Sequence, residues 1–466
     1  MHGRGCSAEE VGSGSTGRVS GPGRHRAAIS IGGVLIVIAS MASACAATSQ
    51  PGKGPLPSRG TIGTSTCVAH WQVTSFATPL NKGPSLSPEA PGLELSAISG
   101  TGPSDLWSVG GFYPSPSTAQ QTLVEHWNGL QWSVTPSPNL PASPIGVGDV
   151  LDGVVAVSPS DTWAVGNAGI ALYPSSPADV AYPGTGTLIE NWNGSAWGIV
   201  AAPDLTPDDE LSAVSATGPD DVWAVGTAFD LPTGLIQGVS VPLVEHWDGS
   251  QWSIVQFLGP GLNPFDSETI AALNAAENSG QPNSYESASL TGVDAISAND
   301  VWVSGYLSQV VDMNQTGVVT SFMAQWNGSG WTTIDVPGLH GTELGTTPNE
   351  MLNAVGGSAA SGVWAVGSAA PEGTLVVRTF GAGLTVFSSP QTGSSGTFNA
   401  VAVVSSNDAW AVGDSISRWN GHVWTPTFTV GGKAVDPLTA IDAVSEKDVW
   451  MIGDNAFVHY NCERPG

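Results

Sequence analysis

The sequence predicts an all-β fold: a seven-bladed β-propeller of four-stranded antiparallel blades, the ring closed by the N-terminal strand completing the last blade. Three observations carry this expectation. All 18 tryptophans fall into three slots of a unit that recurs along the chain. Each unit divides into four short strand-like runs separated by turn residues. The final unit stops one strand short, and a matching strand stands at the other end of the chain.

The first strand of the unit is a run such as Leu95-Ser96-Ala97-Ile98 or Leu211-Ser212-Ala213-Val214. Its third residue is always small: Ala97, Gly153, Ala213, Gly292, Ala354, Ala400 and Ala440. A strand with one face held small suits the crowded centre of a ring. Its second residue is always small and polar: Ser96, Asp152, Ser212, Thr291, Asn353, Asn399 and Thr439. Two readings of this polar ring stand side by side. One is a channel-mouth set suited to a cation or a hydroxylated ligand. The other, favoured here, is hydrogen bonding that ties neighbouring blades.

The second strand is a phrase such as Asp221-Val222-Trp223-Ala224-Val225-Gly226. Its aspartate recurs as Asp105, Asp161, Asp221, Asp300, Asp408 and Asp448, with Gly362 in the fifth copy. Recurrence at one offset marks a structural turn residue, expected to accept backbone N–H groups rather than bind a ligand.

The third and fourth strands flank an Asn-Gly or Asp-Gly turn, as in Trp247-Asp248-Gly249 followed by Trp252. Parity puts the two flanking aromatics on one face, where they should pack as a pair between blades. His126, His246 and His459 occupy one slot in different units, and a radial arrangement keeps them apart. They are expected to be surface or inter-blade residues, with no metal site and no cofactor implied.

Closure follows from the termini. The last unit ends in Phe457-Val458-His459-Tyr460-Asn461, a third strand, while Trp71-Gln72-Val73-Thr74 matches the fourth strand Trp132-Ser133-Val134-Thr135. Residues 67–77 and 438–462 should therefore form the closing blade of a propeller spanning 67–462, with 463–466 as a tail. Cys462 takes the place of the turn glycine (Gly129, Gly249), and Cys67 lies just before Trp71. A Cys67–Cys462 disulfide is expected to bridge the cut hairpin, in an exported protein where such bonds persist.

Export is read from residues 1–44, where Arg18, Arg24 and Arg26 precede an apolar run that ends in small residues. Ala42-Ser43-Ala44-Cys45 resembles the lipobox of bacterial lipoproteins, with Ala42 in place of the more usual Leu or Val. That resemblance implies cleavage before Cys45 and a lipid on its thiol. Soluble secretion after ordinary cleavage, or an uncleaved anchor, are the alternatives. Residues 45–66 read as a Ser/Gly/Pro tether.

The formal charge is −27, and the chain has only 12 Lys and Arg. Too few cations remain to neutralise a row of phosphates, so nucleic acid is excluded as a partner. Anionic lipid is repelled as well, which leaves membrane contact to the lipid anchor alone. A monomer is expected.

The D-V-W-A-V-G and H-W-[ND]-G-x-x-W phrases resemble those of bacterial extracytoplasmic propellers, and the likeness covers about residues 67–462. More distantly they are similar to tectonin-like, kelch and WD40 propellers, without the WD40 Gly-His and Trp-Asp landmarks or the kelch double glycine. The resemblance implies a fold and says little of function.

Function is sought in the connections. Those between second and third strands are long in the first four units (111–121, 167–186, 227–242 and 306–321) and short later, as at Asp414-Ser415. The longest link between units, 256–289, contains a segment Ser267 to Ala276 that reads as a short helix with Ser267 as N-cap. The expectation is a non-catalytic binding or scaffold propeller at the cell envelope. Its partner would be a protein or a cell-wall glycan, held on the loop-rich face over blades 1–4. The alternative is a carbohydrate-active hydrolase or lyase using acidic loop residues, such as Asp208-Asp209-Glu210 or Asp266 and Glu268. A sialidase-like arginine cluster is absent, since the repeat body holds only Arg378 and Arg418.

Overall fold

The computed structural model describes residues 68–463 except 78–91, 116–117, 141–147, 170–185, 207, 230–239, 258–285, 311–316, 337–349, 370–372, 381–382, 388–395, 428, 431–432, 435–436 and 454–455. These residues form seven four-stranded antiparallel sheets, plus one two-stranded ribbon, Thr429–Val430 with Lys433–Ala434. Within each blade the strands run A to D from the centre outward. The A strands are Leu93–Gly102, Asp149–Ser158, Asp209–Gly218, Glu286–Ser297, Glu350–Ser358, Phe398–Ser405 and Leu438–Ser445. Each A strand touches the next, and the seventh touches the first, so the ring is closed.

Closure is made by Val68–Ser75, which pairs antiparallel with Ala456–Glu463 and becomes strand D of blade 7. Trp71 lies opposite Tyr460, where Trp132 lies opposite Trp127 in blade 1. The ladder then runs on through Ala69–Cys462 and Val68–Glu463. Cys462 is thus a strand residue beyond the point where other blades turn, rather than a stand-in for the turn glycine.

Tryptophans make the seams between blades. In six of the seven seams the strand-B tryptophan of one blade packs against the strand-C and strand-D aromatics of the next, and in the seam of blades 4 and 5 Trp302 packs against Leu384. Trp107 meets Trp192 and Trp197, Trp163 meets Trp247 and Trp252, and Trp364 meets Trp419 and Trp424. Trp450 of blade 7 meets Trp127 and Trp132 of blade 1, and Trp410 meets Tyr460 and Trp71. Centroid separations of 4.9–6.4 Å with tilted or edge-on rings suit the quadrupoles of the indoles. A single blade leaves both faces apolar; stacking buries them.

Every A strand carries a β-bulge at its second motif residue. The A–B ladder skips Ser96, Asp152, Ser212, Thr291, Asn353, Asn399 and Thr439. The small third residue sits where neighbouring A strands come closest: a Cβ on Gly292 would lie 3.0 Å from Val355 N and 3.1 Å from Ala354 Cα.

Candidate binding face and the residues beneath it

Antiparallel strands divide the connections between two faces. On one, strand A passes to strand B through two residues in most blades, as at Pro103-Ser104. Strand C passes to D through a four-residue turn such as Asn128–Gln131. In that turn the Asn128 side chain accepts the N–H groups of Leu130 and Gln131, and Gly129 takes φ 89°. The opposite face gathers every B–C and D–A connection. The loop segments over blades 1–4, including the expected helix at 267–276 with Asp266 and Glu268, lie mostly outside the described residues. So do the leader, the tether, Cys45 and Cys67. Cys462 is disulfide-bonded.

The recurrent aspartates have other partners than the backbone N–H groups expected for them. Asp105, Asp221 and Asp448 each meet the Nε2 of His126, His246 or His459 at 2.7 Å. Asp161 accepts from Asn191, Asp300 from Gln325, and Asp408 from Arg418 through two bonds. In each of these six blades one donor comes from strand C, one residue before the seam aromatic; Asp105 and Asp221 also accept from Thr101 and Thr217, and Asp221 and Asp300 from the indole N–H of Trp223 and Trp302. In three blades the strand-C donor is a histidine whose ring lies 3.9–4.2 Å from the strand-B tryptophan. The histidines are therefore clamps within a blade, and not inter-blade residues. Where Gly362 replaces the aspartate, Arg378 instead donates to the Ser361 carbonyl and lies 4.6 Å over Trp364.

The polar ring is half-buried at the centre, toward the loop-rich end of the A strands. Four members bond a backbone carbonyl of the next blade. Thr291 donates to Leu352 O, Asn353 to Phe398 O, Asn399 to Leu438 O and Thr439 to Leu95 O, at 2.6–3.4 Å. Ser96 hydrogen-bonds Asp152 across blades 1 and 2, and Asn167 donates to the same carboxylate at 3.3 Å. Burial, then Glu210 and Glu94, push the Asp152 carboxyl up to about 7, against the Ser96 bond. Three adjacent blades thus place carboxyls at one side of the channel mouth. Among the described residues, no three His, Cys, Asp or Glu stand close enough to hold a metal ion.

A second set of ties lies further along the A strands and carries no obvious sequence phrase. Ser99 accepts Ala156 N–H and Ser215 accepts Ala295 N–H, both at 3.0 Å. Asp294 and Asp442 accept Gly357 and Gly100 N–H in the same way. The signal was a serine or aspartate right after the fourth residue of the A run in four of the units.

The fold defines the class: a seven-bladed β-propeller. No family model matches the chain, and no curated protein is similar to it in sequence. Solved structures share the fold at low identity. YCF48 from Cyanidioschyzon merolae is 14% identical with a TM-score of 0.45, covering 84% of this chain and 98% of that one. A streptogramin B lyase is 10% identical with a TM-score of 0.48, covering 85% and 98%. A polysaccharide lyase, an ulvan lyase, is 12% identical with a TM-score of 0.47, covering 77% and 90%. These are likenesses of fold and assign no activity.

Proposed function

We propose that this chain is a non-catalytic binding or scaffold propeller, exported and lipid-anchored at the cell envelope through Cys45. It takes a protein or a cell-wall glycan on its loop-rich face over blades 1–4. The observation that carries this reading is the asymmetry of the two faces. One is closed by tight turns in blade after blade, while the other gathers every connection of variable length. A rigid ring that varies only on one face is built to present that face. The recurrent aromatics and their Asp clamps are engaged in seams and within blades, which supports a role in the scaffold rather than in the site.

The test is binding of the mature propeller to a glycan array and to envelope proteins. It is repeated on variants in which the 229–240 or 256–285 connection is replaced by a short turn like Asp414-Ser415. Loss of a bound ligand in these variants, with the fold kept, supports the placement. Retention of all binding overturns it.

One observation favours a carbohydrate-active enzyme. Asp152, raised to about 7 beside Glu210 and Glu94, has the protonation a general acid needs near neutral pH. Turnover of a polysaccharide panel that disappears in Asp152→Asn would decide for that reading.

A further inference from the structure

Strand C of blades 1, 2 and 3 (Gln121–Trp127, Gly186–Trp192 and Val241–Trp247) carries a glutamate in one shared slot. Glu125, Glu190 and Glu245 lie opposite Ser108, Ala164 and Ala224 of strand B. The other four blades fill that slot with Ala324, Val377, Ser417 and Val458. A blade therefore has no structural need of a carboxyl there.

Each glutamate shares its strand face with a leucine and a tryptophan that pack on the preceding blade. Leu123 and Trp127 pack with Trp450, Ile452 and Phe457 of blade 7. Leu188 and Trp192 pack with Trp107, Val109 and Val124 of blade 1, and Leu243 and Trp247 with Trp163, Val165 and Ile189 of blade 2. The three carboxyls are sealed in these seams, with 0% exposure each. Glu125 accepts one bond, from Ala77 N–H at 2.9 Å, and its other oxygen is enclosed without a partner. Both oxygens of Glu190 and of Glu245 are enclosed without a partner among the described residues.

The groups that face them are of one sign. Asp149 bears on Glu190, and Asp204 and Asp209 bear on Glu245. Burial first, and then these carboxylates, push Glu190 up to about 8 and Glu245 up to about 9. Burial pushes Glu125 up to about 7 against the Ala77 N–H. A charged carboxylate without a partner is costly in such a site. With no metal cage among the described residues, the counter-charge the geometry offers is a proton.

We propose that Glu125, Glu190 and Glu245 form a proton-operated latch: neutral carboxyls keep the seams of blades 7/1, 1/2 and 2/3 closed, and ionisation of Glu190 and Glu245 loosens the stretches around Leu140 and around Leu205 and Thr206 beside the last two seams. Those two stretches are held by the neighbouring acids. Asp149 accepts Leu140 N–H at 2.5 Å, and Asp209 accepts the N–H groups of Leu205 and Thr206. A negative charge on Glu190 or Glu245 repels these anchors directly. The three seams lie under blades 1–3, whereas the rest of the ring has no such device in this slot. The latch is independent of any ligand.

The sign follows from linkage. A carboxyl raised in the folded state stabilises fully below its ordinary value, and that stability is lost as pH rises through the folded value. The experiment compares the mature propeller with the triple variant E125Q/E190Q/E245Q by thermal unfolding from about pH 5 to about pH 9.5, with amide exchange at Leu140, Leu205 and Thr206 as a second readout. The expected result is a midpoint gap in favour of the variant that widens by at least about 2 °C as pH rises. Exchange at the three amides should accelerate with pH in the parent beyond the intrinsic base-catalysed increase, and not in the variant. Parallel pH profiles overturn the proposal. So does a calcium- or zinc-dependent rise in the parent's midpoint that chelator removes and the variant lacks, which would make the glutamates metal ligands. If the triple variant does not fold, E245Q alone is held to the same criteria.

Discussion

Gly226 and Glu210 meet across strands A and B of blade 3 so closely that a β-carbon at position 226 would overlap the Glu210 carbonyl oxygen and stand 2.8 Å from Leu211 Cα. In six of the seven blades the glycine that ends the strand-B phrase is thus the partner of the bulge at the second residue of strand A, whereas a β-carbon on Gly453 of blade 7 would stand 3.8 Å from the Pro437 carbonyl oxygen. The bulge drives one carbonyl into strand B, and only a residue without Cβ accommodates it. Gly110, Gly166, Gly305, Gly367 and Gly413 face the corresponding carbonyls of Glu94, Val150, Ser289, Met351 and Thr397 in the same way. In Gly226→Ala the backbone must move at the centre of a packed blade, and we expect a loss of about 2–3 kcal/mol in denaturant unfolding. Gly218→Ala, with open space at its Cβ, should change stability by less than about 1 kcal/mol.

This glycine shows how far the residues could be read in advance. The tryptophan slots, the number of strands and the closing strand were legible because burial forces a periodic pattern that recurs in every unit. The glycine was visible in the phrase, but its reason was not, since a bulge is a fault in pairing and leaves no composition of its own. The partners of Asp105 and Asp221 were hidden for another cause. Across the six recurrent aspartates the donors lie 10 to 30 residues on and differ in type between blades: His, Asn, Gln or Arg. What stays constant is a side-chain donor before the seam aromatic. Glu125, Glu190 and Glu245 could have been found by parity, because they alternate in step with a buried leucine and tryptophan. The binding face was legible only as unequal loop lengths, because variable loops carry no repeat to compare.

Arg418 joins two blades. It holds Asp408 through Nε and Nη2 at 2.7 and 2.9 Å, reaches Tyr460 Oη of blade 7 at 3.2 Å, and lies 4.5 Å over Trp410. The planar fork and the stacking both depend on guanidinium. Because the side chain is 36% exposed, solvent screens part of the pair. Arg418→Lys should cost about 1–2 kcal/mol despite the retained charge, and Arg418→Gln about the same. Equal stability of Arg418→Lys and the parent, by chemical denaturation, would count against a role for the fork.

Asp442 should make the propeller less stable as pH rises. Burial pushes its carboxyl up to about 7, the N–H groups of Gly100 and Ala443 pull it down, and Asp448 adds to the rise. Only one oxygen is needed to accept the Gly100 N–H of blade 1, and Oδ2 is enclosed without a partner among the described residues. Stability from a raised carboxyl is complete below its ordinary value and is lost through the folded one. Asp442→Asn keeps an acceptor for Gly100. It should raise stability by less than about 1 kcal/mol at about pH 5 and by about 2 kcal/mol at about pH 8.5, after allowance for the partly open channel side. A gain of the same size at both pH values would show that the effect is not protonation.

Asn399 and Leu438 link blades 6 and 7 through one bond, Nδ2 to carbonyl, at 2.8 Å. The Leu438 carbonyl is half of the reason; the other half is that the bulge turns Asn399 out of the A–B ladder and toward its neighbour. Asn399→Ala should therefore cost about 1 kcal/mol. Asn399→Thr, which copies Thr291 and Thr439, should restore most of it. If both variants unfold like the parent, the ring residue is idle in the seam and is free for a ligand.

The closing blade depends on the one ladder whose strands are not joined by a turn. Val68–Ser75 pairs with Ala456–Glu463 through eight residue pairs, and Trp71 sits in the seam between Trp410 and Tyr460. Cys462 faces Ala69 in that ladder and is disulfide-bonded. We expect Cys67 to be its partner, since in sequence it directly precedes Val68, where the closing strand begins opposite the end of Ala456–Glu463. The bond would close a loop of nearly the whole propeller, for which chain entropy gives on the order of 5 kcal/mol. In the mature protein, alkylation under denaturing conditions should leave Cys67 and Cys462 unmodified until reductant is added, and peptide mapping should recover them as one linked pair. Cys67→Ser should then release the closing strand first: proteolysis within residues 64–77 should precede global unfolding. Two freely alkylated thiols in a folded, fully stable parent would show that the ladder and its aromatic seam close the ring without a covalent link.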